Sequence, residues 1–268
     1  MERRASGGVS YLAAPAHSGT PLAILHGIGS AASSFLPLMH ALGPAVPILA
    51  WDAPGYGASR ALPMEWPQAR DYAAVLHGLL DRLGHRKVTL LGHSLGALIA
   101  ADFAILAPER VERLVLVSPA LGYASATGAP LPAPVAARVE ALALEGAQRF
   151  AQERGPRLVH RPGERADIVA AVVAAMAAVS SAGYLQASRM LACGDLVAAA
   201  RNIRVPADIV VGAEDAVTPP ANARKLHDAL MAATPALGHR LTVVADAGHA
   251  VCQEKPGALA ALLASAGA

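Results

Sequence analysis

A serine hydroxyl becomes a useful nucleophile only where a tight turn lifts its Oγ clear of the backbone and a base stands ready to take its proton. The pentapeptide Gly92-His93-Ser94-Leu95-Gly96 has the residue types for such a turn. It follows the apolar run Val88-Thr89-Leu90-Leu91 and precedes the helix-like run Ala97-Leu98-Ile99-Ala100-Ala101-Asp102-Phe103. Flanking glycines omit the Cβ atoms that a strand-to-helix turn has no room for, and the start of the helix aims free N–H groups at the space above Ser94. A base and an orienting carboxylate would complete the apparatus for acyl transfer through the serine. Asp215 ends the segment Val211-Gly212-Ala213-Glu214-Asp215 and His249 ends Asp246-Ala247-Gly248-His249, each just after a β-like run. Glu214 and Asp246 compete locally for the role of the acid. Two N–H donors must also face the charge that grows on the carbonyl oxygen. Leu95, next after the serine, supplies one of them. Ile28 in His26-Gly27-Ile28-Gly29-Ser30 supplies the other, with Gly29 as the alternative and as a substrate contact. His26 reads as a brace for this loop rather than as a second base.

Residues so far apart in sequence meet only if the strands before them lie side by side with their C-terminal ends together. Short β-like runs at Leu22–Leu25, 46–51, 87–91, 113–117, 207–211 and 241–245 alternate with amphipathic helical stretches. The stretch 66–83 places Ala69, Tyr72, Ala73, Leu76, Leu79, Leu80 and Leu83 on one stripe, and Gly84 predicts its C-terminal end. Such alternation predicts an α/β fold with a doubly wound, mostly parallel sheet, because each crossover must return over the sheet. The alternation breaks between about 122 and 196. There Gly128-Ala129-Pro130-Leu131-Pro132-Ala133-Pro134 opens an Ala-rich helical insertion that carries Arg138, Arg149, Arg154, Arg157, Arg161, Arg165 and Arg189.

The chain has 268 residues, 54% of them hydrophobic and 16% charged, with a net charge of +2. That composition favours a large apolar core and excludes disorder, and the scattered charges form no basic stripe for nucleic acid. Cys193 and Cys252 are too few for a disulfide framework and lack metal-ligand spacing. Arg3 and Arg4 near the N-terminus are not followed by the apolar stretch of a signal peptide, so a cytoplasmic location is expected. Residues 168–188 run uncharged for 21 positions, but their apolar part, 168–179, is too short to span a bilayer. A buried or substrate-facing helix is expected there, without stable membrane association.

The chain resembles the serine hydrolases of the α/β-hydrolase superfamily through His26-Gly27, Asp52-Ala53-Pro54-Gly55-Tyr56-Gly57, 92–96, 212–219 and Gly248-His249. The order Ser94, Asp215, His249 along the chain matches that superfamily. The resemblance implies an α/β-hydrolase core of 1–121 and 197–268, with 122–196 as a helical cap. It also implies a structural turn at Asp52, and a small-molecule substrate enclosed between cap and core. Neither a cofactor nor a metal is expected, and the protein would act as a monomer or homodimer. Serine at position 94 separates the chain from the haloalkane dehalogenases and epoxide hydrolases it resembles, which place Asp at the elbow. Gly183-Tyr184, Asp195-Leu196 and Pro206 are similar to the pattern of 3-oxoadipate enol-lactonases, although that group usually lacks the pair His26-Gly27. Carbon-carbon hydrolases of ring-cleavage products are a further candidate. Their substrates bear a carboxylate, which Arg189 or another cap arginine would bind bidentately. The expected activity is cofactor-independent hydrolysis of a small ester, lactone or related carbonyl compound. The competing class is a ligand receptor that keeps the triad and turns over slowly.

Overall fold

The computed structural model describes residues 1–14 and 19–265. The chain opens with β1 (Glu2–Ser6), β2 (Val9–Ala14), β3 (Leu22–Leu25), α1 (Leu36–Leu42), β4 (Ile48–Trp51) and α2 (Ala69–Arg82). It continues through β5 (Val88–His93), α3 (Gly96–Leu106) and β6 (Val111–Val117). Three helices are then inserted: α4 (Ala133–Arg154), α5 (Ala166–Ala177) and α6 (Ser181–Cys193). The last part comprises α7 (Leu196–Ala200), β7 (Ala207–Gly212), α8 (Pro220–Ala233), β8 (Arg240–Val244), α9 (Val251–Glu254) and α10 (Pro256–Ser265).

The strands form one eight-stranded sheet in the order β1-β2-β4-β3-β5-β6-β7-β8, parallel from β4 to β8. Alternation along each central strand sends residues to two cores. Leu90, Leu114, Leu116, Ile209 and Val211 pack with α2, α3 and α8. Leu91, Val115, Val117 and Val210 pack with α1, α9 and α10. Both faces are therefore covered, which is why these strands read as continuous apolar runs. The chain winds outward from β3 to β4, then returns past β3 to β5. This order reverses between β3 and β5, and a crevice opens at their C-terminal ends, where ligands bind in open α/β sheets. The loop 26–30 leaves β3 at that point, and Ser94 leaves β5 beside it.

The predicted strands all form, with ends displaced by a few residues, and helix α2 carries the predicted stripe. Its start moves to Ala69, because the Asp71 carboxylate accepts the Gln68 N–H at 2.7 Å. Gly84 stands just beyond its end at φ 74. The hairpin of β1 and β2 was not among the predicted strands. It is antiparallel, reverses at Gly7 and Gly8 with φ of 57 and 82, and extends the sheet beyond β4. The uncharged segment 168–188 is divided between α5 and α6, which meet at 97°. Ser180 makes the corner by accepting the Gly183 N–H at 3.0 Å as an N-cap. Among the described residues no single helix is long and apolar enough to cross a membrane, although this bent pair has the length and composition to do so.

The insertion is stitched shut at its base. Gly122 and Asp195 form an isolated antiparallel bridge, Ala124 N–H donates to Gly194 O at 2.9 Å, and Leu196 N–H donates to Leu121 O at 2.8 Å. Gly122 stands at φ 82, and a Cβ there would run into the Gly194 carbonyl.

Candidate active site

Ser94 adopts φ 53, the left-handed region that a residue with a Cβ enters only where its surroundings impose it. The surroundings are the two glycines and β6. A Cβ on Gly92 would strike the Gly96 carbonyl, and one on Gly96 would strike the Leu25 carbonyl. Ser94 N–H donates to Val117 O at 2.9 Å, and Ala120 N–H donates to Ser94 O at 3.1 Å. The turn is thus held from both sides, with the serine on the wall of a cavity of about 510 Å³.

Asp215 and His249 meet on the same side. Asp215 Oδ2 lies 3.0 Å from His249 Nδ1, with both side chains buried. Their loops are joined by Ala213 N–H to Val244 O at 2.8 Å and Glu214 N–H to Ala247 O at 2.9 Å. The other carboxylate oxygen of Asp215 accepts the N–H groups of Val217 and Thr218, each at 2.8 Å. Burial alone would raise the Asp215 carboxyl, but the His249 ring and the Thr218 N–H outweigh it and bring the group down to about 2. Asp215 is therefore an anion, and it fixes the imidazole by its Nδ1. The other ring nitrogen, Nε2, has no hydrogen-bond partner among the described residues, and none joins it to Ser94 Oγ. Hydrogen bonds of this kind commonly tighten only around substrate. Ser94, Leu95 and His249 line the cavity together with Gly27, Ile28 and Gly29.

The local competitors for the acid point elsewhere. Glu214 is exposed, and Asp246 pairs with Lys255 at 2.6 Å and Arg165 at 2.8 Å. Asp52 is buried in structural contacts, accepting from Ser10 Oγ at 2.7 Å, from the Ala32 N–H at 2.9 Å, and from Arg3. His26 uses both ring nitrogens: Nδ1–H donates to Gly27 O at 2.8 Å, and Nε2 accepts the Ala53 N–H at 2.9 Å. Burial holds its pKa below the usual value, so it stays neutral and braces the loop. That loop comes close to the serine, since a Cβ on Gly27 would lie 3.0 Å from Ser94 Cβ.

Arg189 does not reach the cavity. Its guanidinium bonds Glu65 through the backbone O at 2.9 Å and through Oε1 at 2.9 Å, and lies over the Trp66 ring at 5.0 Å. The residue sits one position off the buried stripe Tyr184, Ala187, Ser188, Leu191 of α6, and so turns outward. Arg138 and Arg154, both of α4, line the cavity instead.

Three residues that contact this candidate site escaped the sequence reading. His93 Nε2–H donates to the His249 carbonyl at 2.9 Å and steadies that loop from beneath. Thr218 Oγ1 lies within 3.1 Å of His249 Nδ1, 2.9 Å of Asp215 Oδ2 and 2.9 Å of Ser118 O. Glu254 accepts the Gly248 N–H at 2.9 Å. No sequence signal marks the last two, but His93 sits inside the elbow motif itself. Among the described residues no three His, Cys, Asp or Glu side chains are grouped to hold a metal ion.

A mostly parallel sheet wound on both faces, with an elbow serine after β5, an acid after β7 and a histidine after β8, defines the α/β-hydrolase class. The chain belongs to the hydrolase family described as serine aminopeptidase, S33, whose model matches residues 17–256. Its fold is that of the enol-lactonase from Burkholderia xenovorans LB400, with a TM-score of 0.84 at 22% identity over 99% of each chain. In sequence it is 35% identical over 111 residues to a poly(3-hydroxyalkanoate) depolymerase of Ectopseudomonas oleovorans, covering 41% of this chain and 39% of that one. It is 31% identical over 121 residues to a 2-hydroxy-6-oxo-6-phenylhexa-2,4-dienoate hydrolase of Comamonas testosteroni, covering 44% of this chain and 42% of that one. The chain thus matches well under half the length of these two curated relatives.

Proposed function

We propose that the protein is a serine hydrolase that cleaves a small ester, lactone or related carbonyl compound through an acyl-enzyme. The observation that carries this reading is the buried Asp215–His249 pair opening onto the same cavity as the left-handed Ser94. In the mechanism His249 Nε2 takes the Ser94 proton as Oγ attacks the carbonyl, and Asp215 holds the imidazole and stabilises its cation. The N–H groups of Leu95 and Ile28 receive the oxyanion. Leu95 precedes the first turn of α3, where N–H groups have no acceptor within the helix. His249 then returns the proton to the leaving group, and a water it activates releases the acid. Helices α4–α6 act as the cap over this chemistry, since Arg138, Arg154, Met176, Tyr184 and Leu191 wall the cavity.

Ser94→Ala should fold like the wild type and lower kcat on p-nitrophenyl esters by about 10⁴-fold or more. It should also abolish labelling by a fluorophosphonate. Full turnover by the variant at equal purity would refute the mechanism.

Hydrolysis of a carbon-carbon bond is the second reading, supported by the relative named as a dienoate hydrolase. The same site would serve, with a carbanion rather than an alkoxide leaving. Product analysis with vinylogous keto-acids beside esters and lactones separates the two.

A further inference from the structure

Helix α4 carries an arginine in an apolar position. Val135, Arg138, Val139 and Leu142 occupy positions i, i+3, i+4 and i+7 of one helix face, and Val135 and Leu142 are buried in the main core. Arg138 therefore turns inward with that stripe, and it lines the cavity that holds Ser94 and His249. Its Nε and Nη2 are shielded from solvent and have no hydrogen-bond partner. Arg154, also of α4, lines the same cavity and lies over the Phe150 ring at 5.5 Å. Burial, reinforced by the charges of Arg138 and Arg157 against the opposing effect of Tyr184, holds its guanidinium below its usual pKa.

The other five arginines of the insertion show how unusual this is. Arg149 pairs with Glu153, Arg161 with Glu164, Arg165 with Glu254 and Asp246, and Arg189 with Glu65, while Arg157 is exposed to water. Arg138 and Arg154 face each other's charge with no such acid among the described residues. Asp195, a carboxylate on the same wall, is exposed, and its Oδ1 caps α7 by accepting the Ala198 N–H at 3.0 Å. A guanidinium withdrawn from water without an anion is costly, and two within reach of each other's charge more so. Two arginines that line one cavity bring it planar guanidinium groups, whose N–H pairs suit the two oxygens of a carboxylate.

We propose that Arg138 and Arg154 form an anion subsite that holds a free carboxylate of the substrate, apart from the carbonyl that Ser94 attacks. The substrate is then a carboxylate-bearing ester, lactone or ketone. Which carbonyl reacts rests on the hydrolase reading above, whereas the subsite itself does not.

The test compares p-nitrophenyl hydrogen glutarate, whose acyl chain ends in a carboxylate, with p-nitrophenyl pentanoate, whose chain ends in methyl. The wild type should favour the acid in kcat/KM. Arg138→Met should lower the ratio of acid to neutral ester by about 10- to 100-fold, and Arg138→Lys should fall between them. Arg149→Gln, which removes the same charge from an exposed site on the same helix, should leave the ratio unchanged. Preference of the wild type for the neutral ester, or equal loss on both esters in Arg138→Met, would overturn the subsite. A calorimetric titration needs no turnover, and so separates failure of the subsite from failure of the hydrolase reading. Glutarate should bind Arg138→Met and Arg138→Lys more weakly than the wild type, by about 10- to 100-fold for Met. Equal glutarate affinity in all three, or tighter binding of inorganic phosphate than of glutarate, would overturn the assignment even if neither ester is cleaved.

Discussion

At the scale of single residues the site depends on groups kept out of their ordinary states. His93 is the clearest case, because burial and the neighbouring His249 push its pKa down to about 3, against the opposing pull of the hydrogen bond that its Nε2–H donates to the His249 carbonyl. The ring is therefore neutral in the folded chain near pH 7. An unfolded chain binds a proton at this position below about pH 6.5, whereas the folded chain does so only near pH 3. The stability is therefore present at neutral pH and is lost progressively as pH falls through that window, by about 2 kcal/mol between pH 7 and pH 5 from this group. His93→Gln offers a neutral donor that does not titrate. Urea unfolding at pH 7 and pH 5 should show a smaller loss for the variant than for the wild type, by roughly that amount. Equal losses would mean that His93 does not carry the acid sensitivity. That Asp215 meets His249 beside Ser94 could be read from the sequence, because the types, order and strand-end positions of the three constrain one another. Thr218 and Glu254 could not, since their contacts join loops distant in sequence, whereas His93 was at least marked by its place inside the elbow motif. Arg138 could have been found, as a charge inside an apolar helical stripe, and Arg189 could have been set aside by its place off one.

At the scale of elements, the sheet is fastened at the N-terminal ends of its last three parallel strands. Asp208 of β7 stands opposite Arg240 of β8 in the register and receives its guanidinium at 2.7 and 2.9 Å, while Arg113 of β6 grips it from the other side. Burial works against the Asp208 carboxylate, but the bonds from Arg240 and Arg113 outweigh it and lower its pKa. Asp208→Asn should reduce the free energy of unfolding by about 1–2 kcal/mol at pH 7, since Arg240 remains partly in water. A group with a lowered folded pKa contributes above its unfolded value and loses that contribution as pH falls through the folded one. The gap between variant and wild type should accordingly close as pH drops below about 3.8, which urea titrations at several pH values would show. A gap independent of pH would assign the effect to packing. The interior strands were readable because burial on both faces makes them continuous apolar runs. Strand β1 was not, because Glu2–Ser6 is exposed at the sheet edge and polar, so only the Gly7-Gly8 turn announces it. The corner between α5 and α6 was readable only as an apolar stretch that stops at Ser180, without its angle.

At the scale of the whole molecule, the inserted helices and the histidine loop are bolted to one another. The Glu254 carboxylate, fully buried, accepts the Gly248 N–H at 2.9 Å, the His160 N–H at 2.9 Å and Arg165 Nη1 at 2.6 Å. Arg165 also reaches Asp246 O at 3.1 Å, and Ala250 N–H donates to Leu158 O at 2.9 Å. A Cβ on Gly248 would come within 2.8 Å of the His160 nitrogen, so the two backbones can approach this closely only at a glycine. Any displacement of 158–165 must then be felt at His249, whose ring is tied to Asp215 on its other side. Glu254→Ala removes the shared acceptor and leaves Arg165 with only the exposed side of its network, which should cost about 3–5 kcal/mol of stability. Because His249 loses a fixed backbone, kcat on a p-nitrophenyl ester should fall, and the rate of fluorophosphonate labelling should fall in the same proportion. Hydrogen exchange provides the readout of coupling: protection should drop together in 158–165 and in 246–250. Loss confined to one of these segments would show that the insertion and the histidine loop move independently, and that the insertion does not position His249.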